Sequence, residues 1–215
     1  MPVRKINKSY RNVTGVSAAR KAVGDAQFES TLERDFLRLL EFSPDVEGFE
    51  VQPLGLPWRD PAGTQRNYTP DTLVTFHPST GLKPWLCEIK YRSDLKKDWI
   101  ELKPKFRHAI RYARKKGWRF RLVTEVEIRG PELEAANFLL PFRHRSIPNE
   151  QSDRLLALMA VQGETTPENL LQEISCDPMV QAEWLPALWH LVARFEIGMD
   201  FHSPITMSSR IWSLQ

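Results

Sequence analysis

The sequence has only two cysteines and no long apolar run. Neither Cys87 nor Cys176 has zinc-type spacing, and a reducing cytosol fits this cysteine usage better than a disulfide framework. No run approaches the roughly 18 apolar residues that a transmembrane helix needs. The basic N-terminus lacks the apolar core of a secretory signal. We therefore expect a cytoplasmic protein.

Several common catalytic motifs are also missing. The chain has no nucleophile-elbow sequence, no phosphate-binding glycine loop and no zinc-ligand cluster. Its composition is otherwise ordinary, since 41% of the 215 residues are apolar and 27% are charged. This length is enough for one large domain or two modest ones.

Charge is distributed unevenly along the chain. Residues 150–215 contain nine acidic and three basic residues, a net charge of −6, whereas residues 1–149 carry +9. The change of sign coincides with a polar linker at residues 143–149 that contains Pro148. We therefore predict a basic arm at 1–24, a main domain at 25–147 and a small domain at 148–215.

Acidic residues are absent from two segments. Residues 1–24 contain six bases, and they could grip phosphates or form a solvated tail. Residues 103–121 contain nine bases and His108, with aromatic residues interleaved. Because solvated helix faces usually mix charges of both signs, we interpret this segment as a phosphate-binding face. Its candidate DNA-binding residues are Arg107, Arg111, Arg114 and Lys115.

Apolar periodicity predicts an α/β main domain with one mixed central sheet, in the order α-β-β-β-α-β. The predicted elements are helix 28–42, strands 47–56, 67–77 and 83–91, helix 102–117, strand 118–129 and a further helix 132–140. The last third shows three helical patterns and two short strands, which is typical of a winged helix. These patterns lie at 151–161, 167–174, 180–195 and 198–212.

Asp71, Glu88 and Lys90 form the one pattern that indicates chemistry. Glu88 and Lys90 lie two apart in an apolar strand and therefore point to the same face. A turn at residues 78–81 pairs residues whose numbers sum to about 159, which sets Asp71 opposite Glu88. Facing carboxylates destabilise a sheet unless a cation lies between them, so the pattern favours a metal site. The alternative is that these three residues are ordinary charged residues on the surface of a hairpin.

Glu33 is a further candidate carboxylate with two possible roles. It lies three residues after Ser30, as in a capping box, at the start of the first predicted helix. That helix precedes the sheet and could instead present Glu33 above the strand ends.

Taken in order, five segments resemble the TnsA endonuclease family of Tn-seven-like transposition systems. These segments are residues 28–36, 40–46, 51–53, 68–71 and 88–90. The resemblance spans nearly the whole chain, because the family also carries a C-terminal winged-helix-like domain. The chain is shorter than the best-known member, which suits the compact, RNA-guided, CRISPR-associated members.

The resemblance implies a restriction-endonuclease-like PD-(D/E)xK core, which uses Mg²⁺, or Mn²⁺ in its place, to hydrolyse the 5′ ends of the transposon. Glu33 matches the family's helix glutamate, Asp71 its central aspartate and Lys90 its lysine. Together with Glu88 these are the predicted catalytic residues, and the three carboxylates are the predicted metal ligands. Glu88 stands where the best-known member has glutamine.

Two kinds of partner are implied. They are a TnsB-type transposase, which cuts and joins the 3′ ends, and a TnsC-type ATPase regulator that we expect at the C-terminal domain. When active, such a protein is associated with the nucleoid. Two alternatives stay open: a non-catalytic DNA-binding or assembly subunit, and a stand-alone restriction or repair nuclease.

Overall fold

The computed structural model describes residues 14–60 and 62–214, which divide into two compact units between Arg129 and Gly130. The division falls earlier in the chain than the predicted boundary after residue 147. The helix that precedes the polar linker therefore groups with the second unit. Within the described residues, every helix is too short or too polar to cross a membrane.

The first unit contains three α-helices, eight strands and a 3₁₀ turn at Pro78–Thr80 in its described part. The elements are β1 Gly15–Val16, β2 Gln27–Phe28, α1 Thr31–Phe42, β3 Val46–Val51, β4 Leu56–Arg59, β5 Gln65–Tyr68, β6 Thr72–Phe76, β7 Trp85–Ile89, α2 Arg92–Lys115, β8 Arg119–Val123 and α3 Glu125–Ile128.

Four strands form the central sheet in the order β3-β6-β7-β8. The first two pairings are antiparallel and the pairing of β7 with β8 is parallel, so the sheet is mixed. The predicted order α-β-β-β-α-β is confirmed in α1, β3, β6, β7, α2 and β8. The predicted register is confirmed as well, since Thr72 lies opposite Cys87 and Leu73 opposite Leu86.

The sheet lies between two helices. Val74 and Cys87 belong to the apolar cluster that includes Leu32 and Phe36 of α1. Leu86, the neighbour of Cys87, points to the other face and packs in the cluster that includes α2. This alternation of side chains between two buried faces fixes which residues of β6 and β7 can reach the helices.

Two predicted strands are interrupted in the structure. The strand predicted at 47–56 ends at Val51, because Gln52 adopts a positive φ of 48° that extended chain does not allow. Leu56–Arg59 instead pairs with Gln65–Tyr68 in a separate hairpin. The strand predicted at 67–77 is accordingly split by residues 69–71.

The predicted helix 102–117 and strand 118–129 were also misplaced at one end. The helix begins at Arg92 and changes direction at Asp98, whose φ and ψ are not helical. The strand ends at Val123, because Thr124 starts α3 in a capping box: its backbone N–H donates to the Glu127 carboxylate at 2.9 Å.

Part of the predicted basic arm is folded. Residues 1–13, with four of its six bases, lie outside the described residues. Val16 pairs with Gln27, and Val23 N–H donates to the carbonyl of Phe49 on β3 at 2.8 Å. The end of the segment therefore lies along the edge of the central sheet.

The second unit combines helices with a small antiparallel sheet of order β10-β11-β9. Its elements are α4 Pro131–Arg143, α5 Asn149–Gln162, β9 Glu164–Thr165, α6 Pro167–Gln172, α7 Pro178–Ala193, β10 Ile197–Met199 and β11 Ile211–Ser213. The three predicted helical patterns and the final pair of strands are present in the structure. The short strand β9 is an additional element that the sequence patterns do not predict. The winged-helix assignment stays a prediction.

Gly198 gives a direct test of packing in this sheet. It lies opposite Trp212, and an added Cβ would meet the indole at 2.2 Å. We expect Gly198→Ala to lower the free energy of unfolding by about 1–3 kcal/mol, as overpacking does. Thermal or urea unfolding of the full chain measures this.

A Gly198→Ala/Trp212→Leu double variant serves as the control. It should lose less stability than the two single changes added together, because they share one contact. An unchanged Gly198→Ala midpoint would contradict the packing argument.

Candidate active site

A cleft of about 940 Å³ opens in the first unit, where β6 begins and β7 ends. The β4–β5 hairpin and α2 also contribute to its lining. Four of the polar side chains that line it come from different parts of the chain: Asp71, Glu88, Lys90 and Lys105. The cleft therefore brings the neighbouring residues Glu88 and Lys90 together with Asp71 and Lys105 from other elements.

Asp71 directly precedes β6 and is held there by the neighbouring strand. Its backbone N–H donates to the Cys87 carbonyl at 3.0 Å. Its carboxylate accepts a hydrogen bond from the Ile89 N–H at 2.6 Å. The paired residues of β6 and β7 end at Thr72 and Cys87, so Asp71 lies directly beyond the last pair, and it lines the same cleft as Glu88.

Glu88 lies in β7 with only 2% of its surface exposed. Tyr68 donates its hydroxyl proton to Oε2 at 2.5 Å, and Lys105 Nζ donates to Oε1 at 3.1 Å. Lys90 Nζ lies 3.7 Å from the same Oε1. The buried carboxylate is therefore compensated by one hydroxyl and two ammonium groups, as a buried charge requires.

The electrostatics of the cleft follow from burial and like charge. Burial, and then the charge of Glu88, raise the pKa of Asp71 well above its ordinary value. Burial alone would lower the pKa of Lys90, but the carboxylates, with Asp71 foremost, raise it on balance. Lys90 is thus a protonated ammonium at neutral pH.

Glu33 lies in the first turn of α1 and bonds the residues that precede the helix. Its carboxylate accepts hydrogen bonds from the Glu29 N–H at 2.8 Å and the Ser30 hydroxyl at 2.9 Å. Its own N–H donates to the hydroxyl of Ser30, the N-cap of the helix, at 3.2 Å. Burial raises the pKa of Glu33, and its charge in turn raises that of Asp71. Glu33 is thus electrostatically coupled to the cleft.

The donor set fits a divalent cation held by two carboxylates. Asp71 and Glu88 offer hard oxygen ligands at an open cleft, and their mutual repulsion is relieved by a cation. Across the described chain, His, Cys, Asp and Glu form no metal-binding cluster of three or more members. The role of Glu33 as a third metal ligand therefore stays a prediction.

The predicted DNA-binding residues share the exposed surface of α2. Arg107, Arg111, Arg114 and Lys115 are all exposed. Phe106, Ala109 and Ala113 form the buried face of the same helix. This division explains why the helix can be strongly basic without disturbing its packing.

A second depression, of about 490 Å³, adjoins the cleft. Arg107, His108 and Arg111 line it, and Trp58, Asp60 and Pro104 line both it and the cleft. Burial, and then the charges of Arg111 and Lys115, lower the pKa of His108. The basic face of α2 and the carboxylate cleft therefore form one continuous surface.

Sequence reasoning missed Tyr68 and Lys105 as parts of the site. In the sequence Lys105 is one of nine bases in the basic segment, and its contact with Glu88 depends on how α2 packs on the sheet. Tyr68 is the last residue of β5 and is separated from β6 by residues 69–71, so its contact with Glu88 depends on how the β4–β5 hairpin lies against the sheet. Its place directly before Thr69-Pro70-Asp71 was the available signal.

Residues 43–125 match the family model described as the TnsA-like endonuclease N-terminal domain. Over these residues the chain is similar to TnsA-like endonucleases. The match supports a TnsA-like family member and implies nuclease activity in transposition, with transposon-end DNA and transposition partners in general. It contains Asp71, Glu88, Lys90 and Lys105 and begins after Glu33. No curated protein matches the chain.

Tyr68 can be tested through stability. Tyr68→Phe removes the hydroxyl that donates to the buried Glu88 carboxylate. We expect a loss of about 1.5–3 kcal/mol in the free energy of unfolding, the size of a hydrogen bond to a charged group. Chemical denaturation of the full chain measures it.

Tyr112→Phe is the matched control, because the Tyr112 ring packs on Trp118 and its substitution leaves Glu88 untouched. Equal losses in the two variants would argue against a specific Tyr68–Glu88 bond.

Proposed function

We propose that this chain is the Mg²⁺-dependent endonuclease subunit of a heteromeric transposase, which hydrolyses the 5′ ends of a transposon during cut-and-paste transposition. The observation that supports this most is the convergence of Asp71, Glu88 and Lys90 on one cleft inside the segment that matches the TnsA-like endonuclease model. The mixed sheet between two helices suits a restriction-endonuclease-like core.

Each residue of the cleft has a distinct proposed role. Asp71 and Glu88 would hold Mg²⁺, and Glu33 is the proposed third carboxylate. When bound, the metal supplies charge neutralisation at the phosphate and an activated water. Lys90 stays protonated beside the carboxylates, so it suits stabilisation of the negative charge that develops on the phosphate better than proton abstraction.

The surface next to the cleft suits duplex DNA. Arg107 and Arg111 line the depression that adjoins the carboxylates, and Arg114 and Lys115 continue the same exposed face. If DNA phosphates bind along α2, the sugar-phosphate backbone of the DNA would run towards the cleft. The Lys/Arg side chains would fix position and orientation rather than read sequence.

The second unit is the proposed protein-docking module. Its helices and three-stranded sheet suit a winged-helix-like domain, and its negative charge disfavours insertion into a DNA groove. We assign contacts with a TnsC-type ATPase or a TnsB-type transposase to this unit. The non-catalytic assembly subunit stays as the second candidate, because the basic face of α2 would serve it equally well.

Asp71→Ala and Lys90→Ala distinguish these two functions. If the chain is the nuclease, each variant should lose 5′-end cleavage by at least about a hundredfold, since each removes charge stabilisation at the reacting phosphate. The assay is cleavage of end-labelled transposon DNA by the complete transposition complex with Mg²⁺.

Glu47→Ala, an exposed carboxylate on β3, is the matched control and should cut normally. Full cutting by either cleft variant, with an unchanged melting temperature, would disprove the proposal in favour of the assembly role.

The DNA-binding face makes a separate prediction. Arg107→Ala and Arg111→Ala should each weaken binding to duplex DNA similarly for all sequences. Each should also lower the slope of log affinity against log salt by about 0.9, the loss of one phosphate contact. Fluorescence anisotropy across a salt series, with Ca²⁺ in place of Mg²⁺, measures both effects.

Lys83→Ala provides the comparison, because Lys83 is equally exposed but lies in the loop before β7. If all three variants changed the slope equally, the basic face of α2 would not be the DNA contact.

A further inference from the structure

Lys105 enters the cleft from α2 and contacts Glu88. Its Nζ lies 3.1 Å from Glu88 Oε1, 4.8 Å from the centre of the Tyr68 ring and 5.2 Å from that of Phe106. The Lys105 side chain is 21% exposed, whereas the Glu88 side chain is 2% exposed. A positive charge held by a carboxylate and two aromatic faces is well fixed in place.

The two oxygens of Glu88 are engaged differently. Oε2 accepts from the neutral hydroxyl of Tyr68, which can remain bonded while the other oxygen binds a cation. Oε1 faces the ammonium of Lys105 at 3.1 Å and that of Lys90 at 3.7 Å. A divalent cation on Oε1 would repel an ammonium at that distance strongly, because little water screens charges in a buried site.

We infer that Lys105 is a built-in counter-ion that a divalent cation must displace from Glu88. It neutralises the buried carboxylate before the metal binds and thereby lowers the affinity of the cleft for that metal. The inference rests on the proposed function, since it takes Glu88 as a metal ligand. It adds a residue that sets how tightly the site binds its ion.

A purely structural role for Lys105 predicts the opposite change in metal affinity when the residue is replaced. If Lys105 only supported the fold around Glu88, its removal would loosen the site and weaken metal binding. If it competes with the metal, its removal leaves Glu88 undercompensated, and a cation then binds more tightly. Metal affinity therefore separates the two roles without any measurement of DNA cleavage.

The experiment is calorimetric titration of the full chain with Mn²⁺, without DNA. Lys105→Met keeps much of the side chain's length and apolar surface but removes its charge. We expect it to bind Mn²⁺ about tenfold more tightly than the parent chain, since a hydrogen bond to a charged group contributes roughly that factor. Lys105→Arg keeps the charge and should show no such gain.

Lys103→Met is the matched control for the general loss of one positive charge. Lys103 lies on the same helix but is exposed, so its change should alter the affinity less than about twofold, because water and salt screen exposed charges. If Lys105→Met fails to fold, Lys105→Gln replaces it, with thermal unfolding as the check.

The outcomes separate this inference from the proposed function. Two results together would overturn the inference and leave the proposed function standing. A folded Lys105→Met variant would bind Mn²⁺ no more tightly than the parent chain, and Asp71→Ala alone would abolish Mn²⁺ binding. If Asp71→Ala binds Mn²⁺ as the parent chain does, or neither the parent chain nor Lys105→Met binds it, the carboxylate metal centre fails and the inference with it.

Discussion

The burial of the Glu88 charge is the constraint on which the carboxylate cleft depends. A carboxylate with 2% of its surface exposed must be compensated by nearby donors. Those donors come from three elements: Tyr68 from the β4–β5 hairpin, Lys105 from α2 and Lys90 from the end of β7. The need to compensate one charge therefore holds the hairpin, the helix and the sheet in a common arrangement around the cleft.

The sequence was informative where local periodicity decides structure. Alternation along β6 and β7, with a turn between them, was enough to fix their register and to bring Asp71 and Glu88 to one cleft. It was uninformative where one residue ends an element, as the positive φ of Gln52 ends β3 and the capping box of Thr124 ends β8. Lys105 could not be recognised, because its contact depends on the packing of a helix against a sheet.

The two units divide the charge of the chain between them. The first unit contains the carboxylate cleft and the basic face of α2, whereas the acidic residues of the last third all lie in the second. The change of sign and the compact division fall at different places. Residues 130–149 contain two acidic and two basic residues, so they do not alter the charge of either part, and α4 packs against α7 through contacts such as Phe138 with Trp189. The charge pattern therefore indicates that the chain has two parts, whereas the packing of α4 determines the residue at which the first unit ends.

The edge of β3 has a consequence for how the chain behaves among copies of itself. Edge strands expose unpaired backbone groups that can recruit strands from other molecules. Here the N–H and carbonyl of Phe49 are both occupied, by Lys21 and Val23 of the preceding segment. A short stretch that looked like a charged tail thus shields this part of the sheet from the edge-to-edge pairing that leads to aggregation.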